Sequence, residues 1–208
     1  MTIYNYDMLS ADDIDSDIIT RYIPTFMDSL YDDDALRLIE AEDLRDLFHT
    51  NQVKSKAWML NKLLHLNLSS NTSILIIGSW VGFLTHCLHK LGFRNLTEVD
   101  LMSRNLSISQ NLTPSVIRFQ RDINTFADIN NYDVIINTSC EHIKDDSWFK
   151  NINPGSFLML QSNNFSIPTH TNICRSISEM VTKYPMKVTY YGVLRLNVYE
   201  RYMSLGNK

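Results

Sequence analysis

The run Ser73-Ile-Leu-Ile-Ile77 is almost wholly apolar and stops at Gly78. A run this short cannot span a membrane, and its lack of alternation leaves no face for water. It fits a strand buried on both sides, as parallel strands are. Parallel neighbours need a crossover connection, and one follows at once. Leu84, Leu88 and Leu91 recur at helical spacing up to Gly92, a residue suited to end a helix, and Leu96 to Asp100 makes the next strand. The rhythm repeats through a helix at Ser103 to Leu112, strands at Val116 to Gln120, Tyr132 to Asn137 and Phe157 to Gln161, and a helix near Asn172 to Lys183. Two alternating runs, Lys187 to Leu194 and Val198 to Leu205, then read as an antiparallel edge hairpin. The pattern predicts an α/β fold: a doubly wound, seven-stranded, mostly parallel sheet whose last strand is antiparallel.

Residues 1–68 read differently. Ser10-Ala-Asp-Asp13 has the pattern of a capping box, and Ile14, Ile18, Tyr22, Ile23, Phe26 and Leu30 follow at helical spacing, with Pro24 as a kink. Asp32-Asp-Asp34 marks a second helix start, and a third helix is expected over Gln52 to Leu66. The expected organisation is an N-terminal helical cover, residues 1–68, over one compact unit, residues 69–208. Charge agrees. The first 50 residues hold 13 acidic and three basic groups, a balance of −10; the other 158 hold 10 acidic and 16 basic, a balance of +6. An acidic front on a mildly basic body suits a segment folded over its own domain and not a duplex-binding protein, so nucleic acid is not an expected partner. No basic and apolar leader opens the chain, no apolar run reaches membrane length, and Cys87, Cys140 and Cys174 stand singly. These features predict a cytoplasmic protein with reduced thiols and no membrane partner. Five alanines among many Asn and Ile residues hint at an AT-rich genome, phage or bacterial.

The stretch Ile74-Leu-Ile-Ile-Gly-Ser-Trp-Val-Gly-Phe83 puts a glycine where a strand becomes a helix, and Glu98-Val-Asp100 puts an acid at the next strand's tip. The glycine lets backbone pass close to a ligand, the helix N-terminus offers free N–H groups, and the acid accepts from both ribose hydroxyls. Together they specify an adenosine-type ligand. The glycine register separates the cofactors. A dinucleotide GxGxxG finds only Gly78, with Trp80 and Phe83 in its other two places, whereas GxGxG finds Gly78 and Gly82 around Trp80.

On these residues the chain resembles the class I S-adenosylmethionine-dependent methyltransferases, over roughly Val53 to Leu205. The resemblance implies a Rossmann-like domain with S-adenosylmethionine as cofactor. It places the cofactor at Gly78, Ser79, Trp80 and Gly82, with Asp100 and Leu101 at the ribose, Asp122 and Ile123 at the adenine, and Asn137 at the fourth strand's tip. Asn151-Ile-Asn-Pro-Gly155 is similar to the family's "L-K-P-G-G" turn, and the closing hairpin is the family's departure from an all-parallel dehydrogenase sheet. Two positions depart from the pattern. Ile76 replaces the acid expected two residues before the first glycine, and Trp80 replaces the central glycine, so its bulk must pack away from the ligand or cover it.

The resemblance also turns Asn137-Thr-Ser-Cys-Glu-His142 toward the reactive methyl group. Glu141 and His142 are then candidate bases for the acceptor's proton, because modest burial brings either near a neutral pKa. Their alternative use is to cap the helix that follows or to satisfy backbone groups. Ser139, Asn163 and Asn164 are candidate acceptor contacts, or else turn formers. Lys54, Lys56 and Trp58, on the helix before the first strand, are candidates to bind an anionic group, or else solvated lysines beside a core Trp. The N-P-P-Y or D-P-P-Y tetrapeptide of base-directed amino-methyltransferases is absent, and Cys140 follows Ser139 where cytosine-C5 enzymes carry Pro-Cys. No His/Cys/Glu grouping has metal spacing, so no metal is expected, and His86 and His89 read as surface residues. The expected function is methyl transfer to a small polar molecule or a peptide. Two alternatives stay open: cyclisation or cleavage of the same cofactor to methylthioadenosine, and a non-catalytic binding module.

Overall fold

The computed structural model of the chain describes residues 5–31 and 35–208, so the Asp32-Asp-Asp34 helix start lies outside the described residues. Asn5–Ser10 forms strand β1, followed by helices α1 (Asp17–Thr20), α2 (Ile23–Tyr31), α3 (Ala35–Leu38), α4 (Ala41–Leu47) and α5 (Thr50–Leu64). Strands and helices then alternate as β2 (Ile74–Ile77), α6 (Phe83–Lys90), β3 (Leu96–Asp100), α7 (Ser103–Leu112), β4 (Ile117–Gln120) and β5 (Val134–Asn137). The rest comprises α8 (Ser147–Lys150), β6 (Phe157–Asn163), α9 (Ile177–Lys183), β7 (Lys187–Arg195) and β8 (Glu200–Asn207). The sheet order is β1-β7-β8-β6-β5-β2-β3-β4. β8 runs antiparallel to β6 and β7, and every other pairing is parallel.

The seven expected strands are β2 to β8, with β8 antiparallel as predicted. β1 adds an eighth, pairing Asn5–Ser10 with Tyr190–Arg195, so β7 is not the sheet's edge. Its sequence hid it. Tyr6 and Met8 are 43% and 51% exposed, and Asp7 between them is held by Lys62 of α5 at 2.8 Å, so no apolar run marks the strand. At its end the Ser10 amide and hydroxyl both donate to the Asp13 carboxylate, at 2.6 and 2.8 Å, but they close only a single 3₁₀ turn, Ala11–Asp13. The long helix expected beyond it divides into α1 and α2. Pro24 sits in the first turn of α2, where its missing N–H costs nothing. α9 starts at Ile177, later than expected, because Ser176 caps it, its Oγ accepting from the Glu179 amide at 3.1 Å.

Side-chain alternation along the buried strands builds two cores. Ile74, Ile76, Ile136 and Met159 face α1, α2, α5, α6 and α7, whereas Leu75, Ile77, Ile135 and Leu158 face α8 and α9. The N-terminal helices share the first of these cores: Phe26 of α2 is fully buried and meets Phe83 of α6 edge-on at 4.8 Å. His86, expected at the surface, belongs here too. It is 1% exposed, with its ring against Phe26 and its Nε2 3.2 Å from the Thr25 hydroxyl, and burial pushes its pKa down to about 4. Among the described residues no helix is long and apolar enough to cross a membrane.

Candidate active site

The carboxyl ends of β2, β3, β5 and β6 open onto one cavity of about 1110 Å³. Its floor is the turn after β2. Gly78, Trp80 and Gly82 all take the left-handed conformation there, with φ of 64°, 51° and 78°. Gly82 has no room for a side chain, since a Cβ would overlap Ser109 on α7. Trp80 bears the cost of positive φ with its side chain in place. Its N–H donates to Asp100 Oδ2 at 3.1 Å, while Asp100 Oδ1 accepts from the Met102 amide at 2.8 Å and from Asn105 at 3.3 Å. Burial pushes the Asp100 carboxyl above the usual carboxylate range, and these N–H donors oppose the shift. Trp80 lines the cavity with the Lys56 ammonium 5.7 Å from its ring centroid, and its side chain packs against the core beneath. Beneath the turn, buried Glu98 accepts from Ser109 at 2.7 Å and from Thr85 and forms an ion pair with Arg118 at 2.8 Å, which ties α6, α7 and β4 together. Beyond β4, Asp122 caps a 3₁₀ turn by accepting from the Asn124 amide at 2.9 Å, and buried Ile123 lies beside it on the cavity wall.

The far end of the cavity is ionic. Glu141 is 1% exposed, and its Oε1 accepts from Asn163 Nδ2 at 2.5 Å and lies 3.5 Å from an Arg201 nitrogen, while its Oε2 is buried with no hydrogen-bond partner. Arg201 and Asn163 reach it together because they stand directly opposite each other in the β6–β8 pairing. Lys56, also buried, donates to Gln52 at 3.0 Å; burial, and then the charge of Arg201, push its pKa down to about 7. Ser55 and Gln161 close the wall with paired bonds of 3.1 Å. His142 stands exposed at the mouth, with Nδ1 3.2 Å from the Thr169 carbonyl and the His170 ring edge-on at 4.5 Å. Loss of solvent around its ring lowers the His142 pKa. Neither Glu141 nor His142 caps α8: the Ser147 amide there donates to Asp145 at 3.0 Å.

Of the residues singled out from the sequence, Lys56, Gly78, Ser79, Trp80, Asp100, Leu101, Asp122, Ile123, Ser139, Glu141 and His142 line the cavity. Gly82, Asn137 and Asn163 stand behind its wall. Asn137 accepts from the Ser139 amide at 2.9 Å, which shapes the strand tip. Trp58 and Asn164 are engaged elsewhere. The Trp58 indole donates to the Tyr190 hydroxyl at 3.1 Å in the core, and Asn164 accepts from the Glu200 amide at 2.8 Å, which holds the start of β8. Lys54 turns to the Ile14 carbonyl at 2.6 Å. Sequence reading missed Arg201, whose only signal is a charge inside an otherwise buried strand, and the pairing of His142 with His170. It also found no metal grouping, whereas the fold gathers Glu141, His142 and His170.

No protein-family profile matches the sequence, and no curated relative matches it. The fold has clear counterparts. It is similar to the N-methyltransferase NodS from Bradyrhizobium japonicum WM9 in complex with S-adenosyl-L-homocysteine, with TM-score 0.66 and 15% identity over 84% of this chain and 96% of that one. Magnesium protoporphyrin IX methyltransferase (ChlM) from Synechocystis PCC 6803, with bound S-adenosylhomocysteine, gives 0.61 and 11% over 92% and 98%. An S-adenosylmethionine-dependent methyltransferase from Clostridium acetobutylicum ATCC 824 gives 0.59 and 15% over 78% and 95%. At these identities the likeness is one of architecture, and the chain has the fold of the class I S-adenosylmethionine-dependent methyltransferases.

Proposed function

We propose that the protein is an S-adenosylmethionine-dependent methyltransferase acting on a small polar molecule or a peptide. One observation carries this reading: a single cavity joins the anchored Asp100 carboxylate to the Glu141–His142 pair. The residues present fit the cofactor. The three left-handed residues of the turn fold its backbone tightly against the cavity, and the buried Ser79 hydroxyl in the wall has no partner. When bound, S-adenosylmethionine supplies a methyl group on a positively charged sulfur. Asp100 Oδ2 keeps a lone pair for a ribose hydroxyl beside the Trp80 bond, since a carboxylate oxygen accepts two bonds and Oδ1 already takes those of Met102 and Asn105, and Asp122 and Ile123 meet the adenine. Glu141 Oε2, or His142 Nε2, takes the proton that the acceptor nucleophile must lose, and Lys56 and Arg201 draw in an anionic portion of the acceptor.

Asp46, Gln52, Ser55 and Lys56 line the cavity from the N-terminal side, which supports residues 1–68 as a lid on residues 69–208. The three buried free thiols suit a cytoplasmic setting. The test is calorimetry against S-adenosylhomocysteine and NAD, with mass spectrometry of the spent donor. S-Adenosylhomocysteine is expected both as the tighter ligand and as the product. Tighter NAD binding overturns the cofactor, methylthioadenosine as product places the chemistry in cyclisation or cleavage, and an unchanged donor leaves a binding module.

A further inference from the structure

Glu141, His142 and His170 gather on the cavity wall, and we propose that they hold a divalent first-row transition-metal cation. Ligand atoms of the three side chains lie within 4.8 Å of one another. Ligand atoms about 2.0–2.2 Å from one tetrahedral cation stand roughly 3.3–3.6 Å apart, so the three side chains close on it by up to about 1.5 Å. The protonation pattern is already that of a ligand set. A backbone carbonyl can only accept, so His142 Nδ1, 3.2 Å from the Thr169 oxygen, and His170 Nδ1, 2.6 Å from the Phe165 oxygen, carry the ring protons. Their Nε2 atoms are left bare, as in metal sites whose histidines are oriented by a second hydrogen bond. The carboxylate is prepared in the same way. Asn163 and Arg201 occupy Glu141 Oε1, and Oε2 stays buried with no donor. A desolvated carboxylate oxygen without a partner is costly to keep, and a cation removes that cost.

Two imidazoles and one carboxylate suit zinc, cobalt(II) or iron(II) rather than magnesium or calcium, which favour oxygen ligands. All three residues line the cavity, so a bound cation would stand beside the space where an acceptor enters. A role in polarising the acceptor rests on the methyl-transfer reading; the binding itself does not. Glu141 cannot be ligand and base at once, so an occupied site replaces proton abstraction by lowering the pKa of the coordinated acceptor group.

The test is titration of the metal-free full-length protein with Co²⁺, followed by visible absorption and calorimetry. One site per chain with intense four- or five-coordinate bands is expected. Its affinity should fall at least about tenfold in Glu141→Gln, His170→Ala and His170→Gln, while the melting temperature of at least one His170 variant stays within a few degrees of the parent. Absence of such bands, or equal Co²⁺ affinity in all three variants, overturns the proposal. S-Adenosylhomocysteine calorimetry on the same samples reports the donor reading separately, so either idea can fail alone.

Discussion

Glu141 is pinned at one oxygen by Asn163 and Arg201 and bare at the other. Glu141→Gln keeps the shape and removes the charge, so turnover with a competent acceptor should fall by about 10² to 10⁴ while S-adenosylhomocysteine affinity holds. Unchanged turnover at a normal melting temperature would leave the assignment without support. Lys56 makes the opposite trade. The unfolded chain holds its proton up to about pH 10.5 and the folded chain only up to about 7. The folded state therefore bears the full cost of a buried charge below pH 7, and that cost fades between 7 and 10.5. Lys56→Met should raise stability at pH 6 by on the order of 2–4 kcal/mol in urea unfolding, with the gain vanishing near pH 10.5. A gain that persists at pH 10.5 would mean that packing, not charge, is responsible. At this scale the sequence was partly readable. Gly78 and Asp100 were marked from the sequence, and both stand at the turn after β2, Gly78 at positive φ and Asp100 accepting from the Trp80 amide. Trp58 could be placed on a helix but not aimed, and its indole faces Tyr190 rather than the cavity. Arg201 and His170 reach Glu141 and His142 only through strand register and loop closure, which no local pattern encodes.

The turn after β2 is the element on which the proposed donor end depends. Gly82→Ala would force a side chain into positive φ and push Ser109 off Glu98. A loss of about 2–4 kcal/mol is expected from the shift of the urea midpoint, and a loss below about 0.5 kcal/mol would show that α7 yields freely. The central elements were legible because two-face burial strips a strand of polar residues: β3 and α7 fall on the residues that periodicity marks, Leu96 to Asp100 and Ser103 to Leu112. β1 was not, since one exposed face and an inward Asp7 paired with Lys62 leave no periodic apolar signal.

Across the whole molecule the N-terminal helices and the sheet share one core, through contacts such as Phe26 with Phe83 and Thr25 with His86. His86 makes that junction acid-sensitive. Its folded pKa is about 4 against an ordinary 6.5, so the unfolded chain binds more protons between those values and stability falls as pH drops from 6.5 to 4. Thermal melts should show the parent losing on the order of 1–3 kcal/mol more than His86→Gln over that interval; parallel losses would assign the acid sensitivity to other groups. The position of β8 has a consequence in time. β8 follows β7 in the chain yet lies between β6 and β7, and it carries Arg201 to Glu141. On the ribosome, β6 and β7 emerge first and wait with facing edges unpaired, and Glu141 waits without its countercharge. The ionic end of the cavity is thus completed last, when that strand slots between two already made.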